Sequence, residues 1–264
     1  MLKRILFFAY GAAAYLLFLA TFLYAIAFVG GFAVPRQLDG PLTGSLPAAI
    51  AIDLALLAVF AVQHSVMARR WFKERWTQVI PWTIERSTYV LCASLALLLL
   101  FWQWRPLGIV VWSVESDVGR ALLWTLFAAG WATVLVVTFL INHFDLFGLR
   151  QVWLPLVGRT YTPVTFVTPR PYRHVRHPLY FGFLLAFWMT PHMTLAHLLF
   201  AIATTAYVVL AIQFEERDLI AEHGAAYREY RRRVPMLLPS LRPRLPTESH
   251  AAAERMAAEA RQRA

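Results

Sequence analysis

The chain has 264 residues, of which 59% are hydrophobic and 15% are charged. This composition supplies more apolar side chains than one soluble core of ordinary proportions buries, which excludes an ordinary soluble domain. The formal net charge of +10 does not indicate nucleic acid, because the arginines lie in loops beside apolar stretches, where anionic lipid headgroups attract them. We therefore expect an integral membrane protein whose charged partners are membrane lipids.

Five apolar stretches follow one another along the chain, and each approaches or exceeds the ~20 residues that a helix needs to cross hydrocarbon. Strands are not expected, since an isolated strand leaves backbone groups unpaired in lipid and the alternating pattern of a barrel is missing. The sequence thus predicts an all-α fold, a polytopic membrane helix bundle. The predicted spans are Ile5–Val34, Leu46–Val66, Thr88–Trp104, Ala121–Ile141 and Leu179–Gln213.

The connections between these stretches differ in character. The first stretch has signal-like charge at its start, but it continues to Val34 without a cleavage site, so we expect a retained span. Residues 68–76 mix aromatic and cationic side chains, which predicts a helix lying along the lipid headgroups. From Asn142 to Pro178 the chain is polar and rich in Pro and Gly. We expect a long loop without regular structure there, of the kind that is often functional.

The last apolar stretch decides the predicted topology. As one helix it would extend about 50 Å, against a hydrocarbon core of about 30 Å. Pro191 divides it, so we expect a C-terminal helical hairpin whose two arms are each short for a full crossing. Four spans plus this hairpin place both termini and the arginine-rich loops in the cytoplasm, as the positive-inside rule requires.

The end of the chain differs from the rest in composition. Beyond Pro246 it is rich in Ala, Glu and Arg and has no large apolar face. We therefore expect one membrane domain over residues 1–246, followed at residues 247–264 by a basic cytoplasmic tail that is a frayed helix or disordered.

The predicted hairpin brings the residues at its start close to those at its end. Arg176, His177 and Tyr180 stand at its start, and Glu215 and Glu216 stand at its end. Two carboxylates beside cations and aromatic rings suit a zwitterionic or cationic ligand. Each residue alone also has an ordinary explanation, as an interface anchor or a solvated helix end.

Two further residues of this segment have backbone roles. Pro178 is suited to the first turn of a helix. Gly182, one turn later, permits the close approach either of a ligand or of another helix, and the sequence leaves both open.

A second set of ionisable residues lies at the same predicted membrane face. His143 follows the fourth span and titrates near neutral pH, and Asp145 could orient it or hold a cation. His64, at the end of the second span, is another candidate base. A satisfied interfacial histidine is about as common as a catalytic one. Asp53, inside the second span, should face the bundle interior and serve helix packing.

Several enzyme classes lack their motifs in this sequence. It has no GxxxxGKS/T, GxGxxG, HExxH or GxSxG pattern. The one cysteine, Cys92, can form no internal disulfide or CxxC pair. His192 and His197 flank a turn at poor spacing for metal ligands on one helix. We expect no metal.

Four segments resemble a known group of enzymes. The two C-terminal segments resemble the isoprenylcysteine carboxyl methyltransferase and phospholipid methyltransferase superfamily, and the other two look like its nurim-like branch. Together they extend the resemblance over nearly the whole chain. The segments are Arg176-His177-Pro178-Leu179-Tyr180-Phe181-Gly182, Glu215-Glu216 with Leu219, Gly224, Tyr227, Tyr230 and Val234-Pro235, then Gln63-His64-Ser65-Val66-Met67-Ala68, and residues 142–151.

In that superfamily S-adenosylmethionine binds on the cytoplasmic side of the membrane. The resemblance implies the same methyl donor here and a small hydrophobic thiol as acceptor, such as methanethiol, which would become dimethyl sulfide. His143 or His64 would accept the thiol proton. The residues implied to hold the donor are Arg176, His177, Pro178, Tyr180 and Gly182, with Glu215 and Glu216 at its amino end.

The resemblance also implies a bacterial inner-membrane enzyme with no obligate protein partner. Two alternatives stay open at this point. The acceptor could be a larger lipidic compound, such as a prenylated thiol or a lipid amine, or the chain could be a non-catalytic nurim-like membrane protein.

Overall fold

The computed structural model describes residues 1–162 and 170–239. Five helices in this part are long and apolar enough to cross a membrane, which confirms the expected helical membrane architecture. In chain order the elements are α1 (Leu2–Gly30), α2 (Leu46–Ala68), α3 (Arg70–Trp76), α4 (Trp82–Gln103), β1 (Val110–Ser113), α5 (Asp117–Ile141), α6 (His143–Leu146), α7 (Leu149–Leu156), a 3-10 turn (Arg170–Arg173), α8 (Pro178–Trp188), β2 (His192–Thr194) and α9 (Leu195–Arg233).

Capping residues set several helix ends. The side chains of Ser45, Ser116 and Thr194 accept backbone N–H groups in the first turns of α2, α5 and α9. Gly31 ends α1 in the left-handed conformation, with φ of 70°. These caps satisfy backbone groups that a helix leaves unpaired at its ends.

Helix α4 begins at Trp82, earlier than the expected Thr88, because the polar residues of its first turns are buried against other elements. The Thr88 hydroxyl lies 2.9 Å from the hydroxyl of Tyr10 on α1. The Ser87 hydroxyl donates to the carbonyl of Gly148 over 3.4 Å. Partners from distant parts of the chain thus allow the helix to extend beyond its apolar stretch.

The bundle has two ends. What we call the proximal end contains the start of α1, the end of α2 and the start of α4. The distal end contains the opposite ends of these helices, with the connections that join them there. At the distal end, Asp39 accepts from the Thr194 hydroxyl and lies 3.2 Å from His197 Nδ1. Asp53 is fully buried and accepts the Arg105 N–H over 2.9 Å, which confirms its expected place in the bundle interior.

The expectation of no strands is wrong at the distal end. Strand β1 pairs antiparallel with β2, with Val110 opposite Thr194 and Ser113 opposite His192. Both strands lie in connections outside the apolar helices, so the argument against strands in lipid does not apply to them. Each strand supplies the other with backbone hydrogen bonds.

The polar segment after α5 is also more regular than expected. Helices α6 and α7 and a 3-10 turn lie within it, and Gly148 turns between α6 and α7 with φ of 82°. Helix α7 buries Val152 and Gln151 against the bundle. Burial against neighbouring helices therefore orders a segment whose composition indicates a loop. Residues 163–169 lie outside the described part of the chain.

The C-terminal hairpin has two unequal arms. Helix α8 has 11 residues and extends about 16 Å, so it is short for a crossing, as expected. The apolar part of α9, Leu195–Ala221, has 27 residues and extends about 40 Å, which is enough to cross alone. The expectation that both arms are short is therefore wrong for the second. Residues 240–264, which include the predicted tail at 247–264, lie outside the described part, and the boundary at residue 246 stays a prediction.

Candidate functional site

The two ends of the hairpin meet at one carboxylate, that of Glu216. His177 Nε2 lies 3.1 Å and Arg176 Nε lies 3.0 Å from its Oε1 atom. Arg231, in the last turn of α9, places its Nε 3.5 Å from Oε2. The side chain of Glu216 is only 4% exposed. A buried carboxylate needs such partners, and here the protein's own side chains supply them. We refer to Glu216, Arg176, His177 and Arg231 as the Glu216 clamp.

Backbone contacts reinforce the Glu216 clamp. The N–H groups of Arg176 and His177 donate to the carbonyls of Pro235 and Met236 over 2.9 and 3.2 Å. Arg176 Nη1 donates to the Arg231 carbonyl over 2.6 Å. Arg176 Nε is buried and, although close to Glu216, has no hydrogen bond of acceptable geometry. The charge of Glu216 therefore holds this N–H in place without a well-aligned hydrogen bond.

Glu215 lies beside the clamp but in a different environment. Its side chain is 44% exposed, and its nearest basic atom, His177 Nδ1, is 3.8 Å away. Tyr180 donates a hydrogen bond to it. Of the two adjacent acids, Glu215 is thus the accessible one and Glu216 is the enclosed one.

A cavity of about 460 Å³ opens against the Glu216 clamp. Its volume lies within the range of small-molecule sites. Its cationic rim suits an anionic group, and its apolar wall suits a flat ring. The sequence singled out Arg176 but not the rim arginines at 231–233, because a basic run after a helix is also typical of a cytoplasmic loop. The lining residues are Arg176, Arg231, Arg232, Arg233, Val234, Pro235, Met236 and Leu238.

Two tyrosines from the last turns of α9 complete this region. Burial, and then the charge of Glu216, raise the pKa of Tyr227 to about 12. Tyr227 therefore remains a protonated hydroxyl at neutral pH. Tyr230 donates to the Tyr172 carbonyl over 2.7 Å and joins the end of α9 to the segment before α8.

Pro178 and Gly182 take the backbone roles expected of them. Pro178 stands at the first position of α8 and is buried. A Cβ atom on Gly182 would lie 2.9 Å from the carbonyl oxygen of Gly130 on α5. The close approach at Gly182 is therefore to another helix, one of the two alternatives that the sequence left open.

His64 lies near the proximal end of α2, where its ring stacks on Phe60 with centroids 5.2 Å apart. The Tyr89 hydroxyl is 3.0 Å from both ring nitrogens. The two nitrogens of an imidazole point in diverging directions, so one hydroxyl pairs with only one of them at a time. At least one ring nitrogen of His64 is therefore not taken by Tyr89.

His143 has a different environment, in which both ring nitrogens are satisfied. The Thr138 hydroxyl donates to the Leu135 carbonyl, so it accepts from the Nδ1–H of His143 at 2.8 Å. Nε2 then accepts from the Tyr15 hydroxyl at 2.9 Å. The ring also stacks on Phe139 with centroids 4.2 Å apart, and burial lowers the pKa of His143. These contacts match the satisfied histidine that the sequence left open.

Asp145 takes one of its two expected roles. Arg150 Nη1 lies 3.1 Å from its Oδ1 atom, and the Tyr161 hydroxyl donates to Oδ2 over 3.2 Å. Asp145 therefore holds a cation. The expectation that it orients His143 is not met, because the partners of that ring are Thr138 and Tyr15.

Hydroxyl groups connect the accessible Glu215 with the surroundings of His64. Tyr180, which donates to Glu215, lies close enough to Tyr89 and Tyr207 to interact with both electrostatically. The Tyr207 hydroxyl in turn lies 3.1 Å from that of Ser65, the neighbour of His64. His64 thus lies on the same side as the Glu216 clamp, reached through Tyr180.

Within residues 1–162 and 170–239, no group of three or more His, Cys, Asp or Glu side chains is placed to hold a metal ion. The expected independence from metal stays a prediction.

Comparisons with known proteins place the chain in a family. No family model matches it, and no solved structure matches it. It is 58% identical to the methanethiol S-methyltransferase of Mycobacterium tuberculosis over 90% of this chain and 98% of that protein. It is 56% identical to the methanethiol S-methyltransferase of Crocosphaera subtropica, over 90% and 93%. Nurim of Xenopus laevis is 32% identical over 73% and 75%. The chain, an integral membrane protein, belongs to the methanethiol S-methyltransferase family and is a methyltransferase.

Proposed function

We propose that this protein transfers the methyl group of S-adenosylmethionine to methanethiol and forms dimethyl sulfide. The activity in the names of its relatives supports the acceptor. The observation that supports the donor is the Glu216 clamp, with an accessible acid on one side and an arginine-rimmed cavity on the other.

The chemistry of S-adenosylmethionine fits the residues present. It has an ammonium, a sulfonium, a carboxylate and a flat adenine ring. Glu215 is the acid available to the ammonium, and the arginine rim of the cavity suits the carboxylate. The apolar wall at residues 234–238 suits the ring. His177, Pro178 and Tyr180 shape this region from the start of α8.

Glu216 and Gly182 support the donor site from behind. Glu216 is surrounded by the side chains of its own clamp, which aligns the start of α8 with the end of α9. Gly182 lets α8 pack closely against α5. This packing fixes the orientation of α8 and with it the direction of the Tyr180 side chain. Direct contact of either residue with the donor stays a prediction from the resemblance.

S-adenosylmethionine, when bound, supplies an electrophilic methyl group on a positively charged sulfur. The protein must then provide a base, because the thiolate is the better nucleophile. Of the histidines expected to do this, His64 keeps at least one ring nitrogen that Tyr89 does not take, whereas both nitrogens of His143 are paired. We assign the base to His64, and a structural role to His143 and Asp145.

The location of the site supports a cytoplasmic proximal end in a bacterial inner membrane. The Glu216 clamp, the arginines at 231–233 and the cations of α3 all lie at this end. The positive-inside rule favours the cytoplasm for such a surface. Both termini would then be cytoplasmic, and the donor would enter from the compartment in which it is made.

The test supplies purified protein with methyl-labelled S-adenosylmethionine and methanethiol and measures the headspace. Labelled dimethyl sulfide is the expected product, and the Glu215→Gln variant should form much less of it at limiting donor. Donor binding without volatile product would favour a lipidic acceptor, which the same label would reveal in the lipid extract. Absence of donor binding would contradict the proposal and favour a non-catalytic nurim-like protein.

A further inference from the structure

We propose that the acceptor thiol is ionised at a polar cluster of side chains from α2, α4 and α9, which we call the acceptor pocket. There His64 removes its proton and Arg86 stabilises the resulting thiolate. This inference rests on the proposed function and names the site of its second substrate. It predicts that the protein selects small uncharged thiols by their acidity as well as by their size.

The pocket is formed by polar side chains within an apolar bundle. Tyr89 is 8% exposed, and its hydroxyl lies 3.0 Å from the ring nitrogens of His64. The hydroxyl of Ser65, the neighbour of His64, lies 3.1 Å from that of Tyr207. Polar groups at this depth are costly in lipid unless they pair with one another or face a functional site. Here the Tyr89 hydroxyl and the Ser65–Tyr207 pair lie close to His64, which keeps at least one ring nitrogen that Tyr89 does not take.

The pocket contacts the donor region through one residue. Tyr180 hydrogen-bonds to Glu215 and interacts with both Tyr89 and Tyr207. A nucleophile beside His64 would therefore meet the donor at the side of Tyr180. The apolar helices around the pocket admit a small thiol from the bilayer, since methanethiol is uncharged when protonated.

The charges at the mouth of the pocket are mainly positive. The Arg86 guanidinium lies 5.6 Å from the ring centroid of Tyr89, and no carboxylate of a described residue lies within 4 Å of it. Burial and then the charge of Arg86 lower the pKa of Lys73 on α3. Glu85 is the acid in this group, and Arg69 is paired with Asp218 at 3.0 Å.

This arrangement favours an anion next to His64. A thiolate beside Tyr89 would accept a hydrogen bond from that hydroxyl and would feel the positive potential of Arg86 and Lys73. Charge-assisted hydrogen bonds of this kind are stronger than neutral ones. A neutral ligand would gain little from the same cations. The pocket therefore stabilises the ionised form of the acceptor over its protonated form.

The transfer step balances as follows. A ring nitrogen of His64 takes the proton of the thiol S–H bond, and the bonding pair stays on the thiol sulfur. That sulfur forms a bond to the donor methyl carbon while the carbon–sulfonium bond breaks and its electron pair returns to the donor sulfur. Both products are neutral thioethers at sulfur, and protonated His64 returns its proton to water at the proximal end.

The test compares two acceptors, methanethiol and a fluorinated ethanethiol that is more acidic. For His64→Gln we expect turnover on methanethiol to fall by about 100-fold or more, the usual share of a general base, and turnover on the acidic thiol by about 10-fold or less. Arg86→Gln should lose about 10-fold on methanethiol, and Arg86→Lys should recover most of that loss. Arg70→Gln is the matched control, because Arg70 is an exposed cation paired with Glu74 on α3, and its turnover should not change.

Donor affinity, measured by equilibrium binding, separates the possible failures. If the wild-type protein does not bind S-adenosylmethionine, the proposed function fails. If the variants bind it normally but His64→Gln turns over like wild type, or loses the same factor on both thiols, the acceptor-site inference is overturned. Should His64→Gln not fold, the Arg86 pair decides: equal losses on both thiols, or no recovery with Lys, would overturn the inference.

Discussion

Glu215 and Glu216 are adjacent in sequence, yet the structure predicts opposite consequences for replacing them. Glu216→Gln keeps the size of the side chain and removes its charge. The Arg176 side chain, 9% exposed, would then face a neutral amide, as would His177 at 4%. Removing one partner of a buried ion pair costs about 3–5 kcal/mol. Since Arg231 is half-exposed and can turn to water, we expect a loss near 3 kcal/mol.

Glu215→Gln should leave stability nearly unchanged. Its carboxylate is 44% exposed and lies 3.8 Å from His177 Nδ1, and exposed pairs of this kind contribute about 0–1 kcal/mol. Its effect should fall on the donor instead. A hydrogen bond to a charged group contributes about 1.5–3 kcal/mol, which corresponds to roughly 10- to 150-fold weaker binding of S-adenosylmethionine.

The assay combines denaturant unfolding of the two variants in detergent with equilibrium binding of labelled donor. Glu216→Gln should be clearly less stable, and Glu215→Gln should bind less donor at wild-type stability. The expectation from sequence, that both acids meet the amino end of the donor, predicts weaker binding by both variants with stability intact. That outcome, or a Glu216→Gln protein as stable as wild type, would refute the assignment of Glu216 to the clamp.

Three further predictions concern the residues that support the site. Gly182→Ala places a Cβ 2.9 Å from the backbone carbonyl of Gly130, so unfolding should become about 1–3 kcal/mol easier. The nearest atoms to a Cβ on Gly119 are side-chain atoms, first a methyl of Val114, so Gly119→Ala should cost less, as denaturant unfolding would show. Burial lowers the pKa of His143 in the folded chain. As pH falls below about 6.5, this histidine is therefore protonated in the unfolded chain but not in the folded chain. Wild type should therefore lose stability between pH 7.5 and 5.5, and His143→Gln should lose less over that interval. Asp145→Asn should cost about 1 kcal/mol and keep turnover within about 2-fold, since the carboxylate pairs with an arginine rather than with a catalytic ring.

Part of this architecture could be predicted from the sequence. Hydropathy gave the helices, and the length of the last apolar stretch, together with Pro191, predicted the hairpin that brings His177 to Glu216. These inferences depend on distances along the chain, which the sequence contains. The sequence could not predict that Glu216 is buried and Glu215 is exposed. Successive residues on a helix point in directions that differ by about 100°, and only the packing of the helix shows which of the two side chains is buried.

The sequence also could not show which of His143 and His64 is the better candidate base, for a related reason. The partners that satisfy His143 include Tyr15, and the hydroxyl beside the His64 ring belongs to Tyr89, so both come from other helices. A pattern within one segment does not contain such contacts. The strands were missed because each is only a few residues long and has no partner within its own segment.

The unequal arms of the hairpin explain why the distal end matters for a site at the proximal end. Helix α8 extends only about 16 Å, but the non-helical residues 189–194 can extend up to about 20 Å. The length of α8 plus that of residues 189–194 matches the rise of α9 from Leu195 to Glu216, which is about 33 Å. Glu216 therefore lies at the same depth in the bundle as His177. The pairing of β1 with β2 and the contacts of Asp39 fix this register. A slip of one residue in α9 would turn the helix by about 100° and take Glu216 away from its clamp. The position of the proposed donor site therefore depends on the pairing of β1 with β2 at the distal end of the bundle.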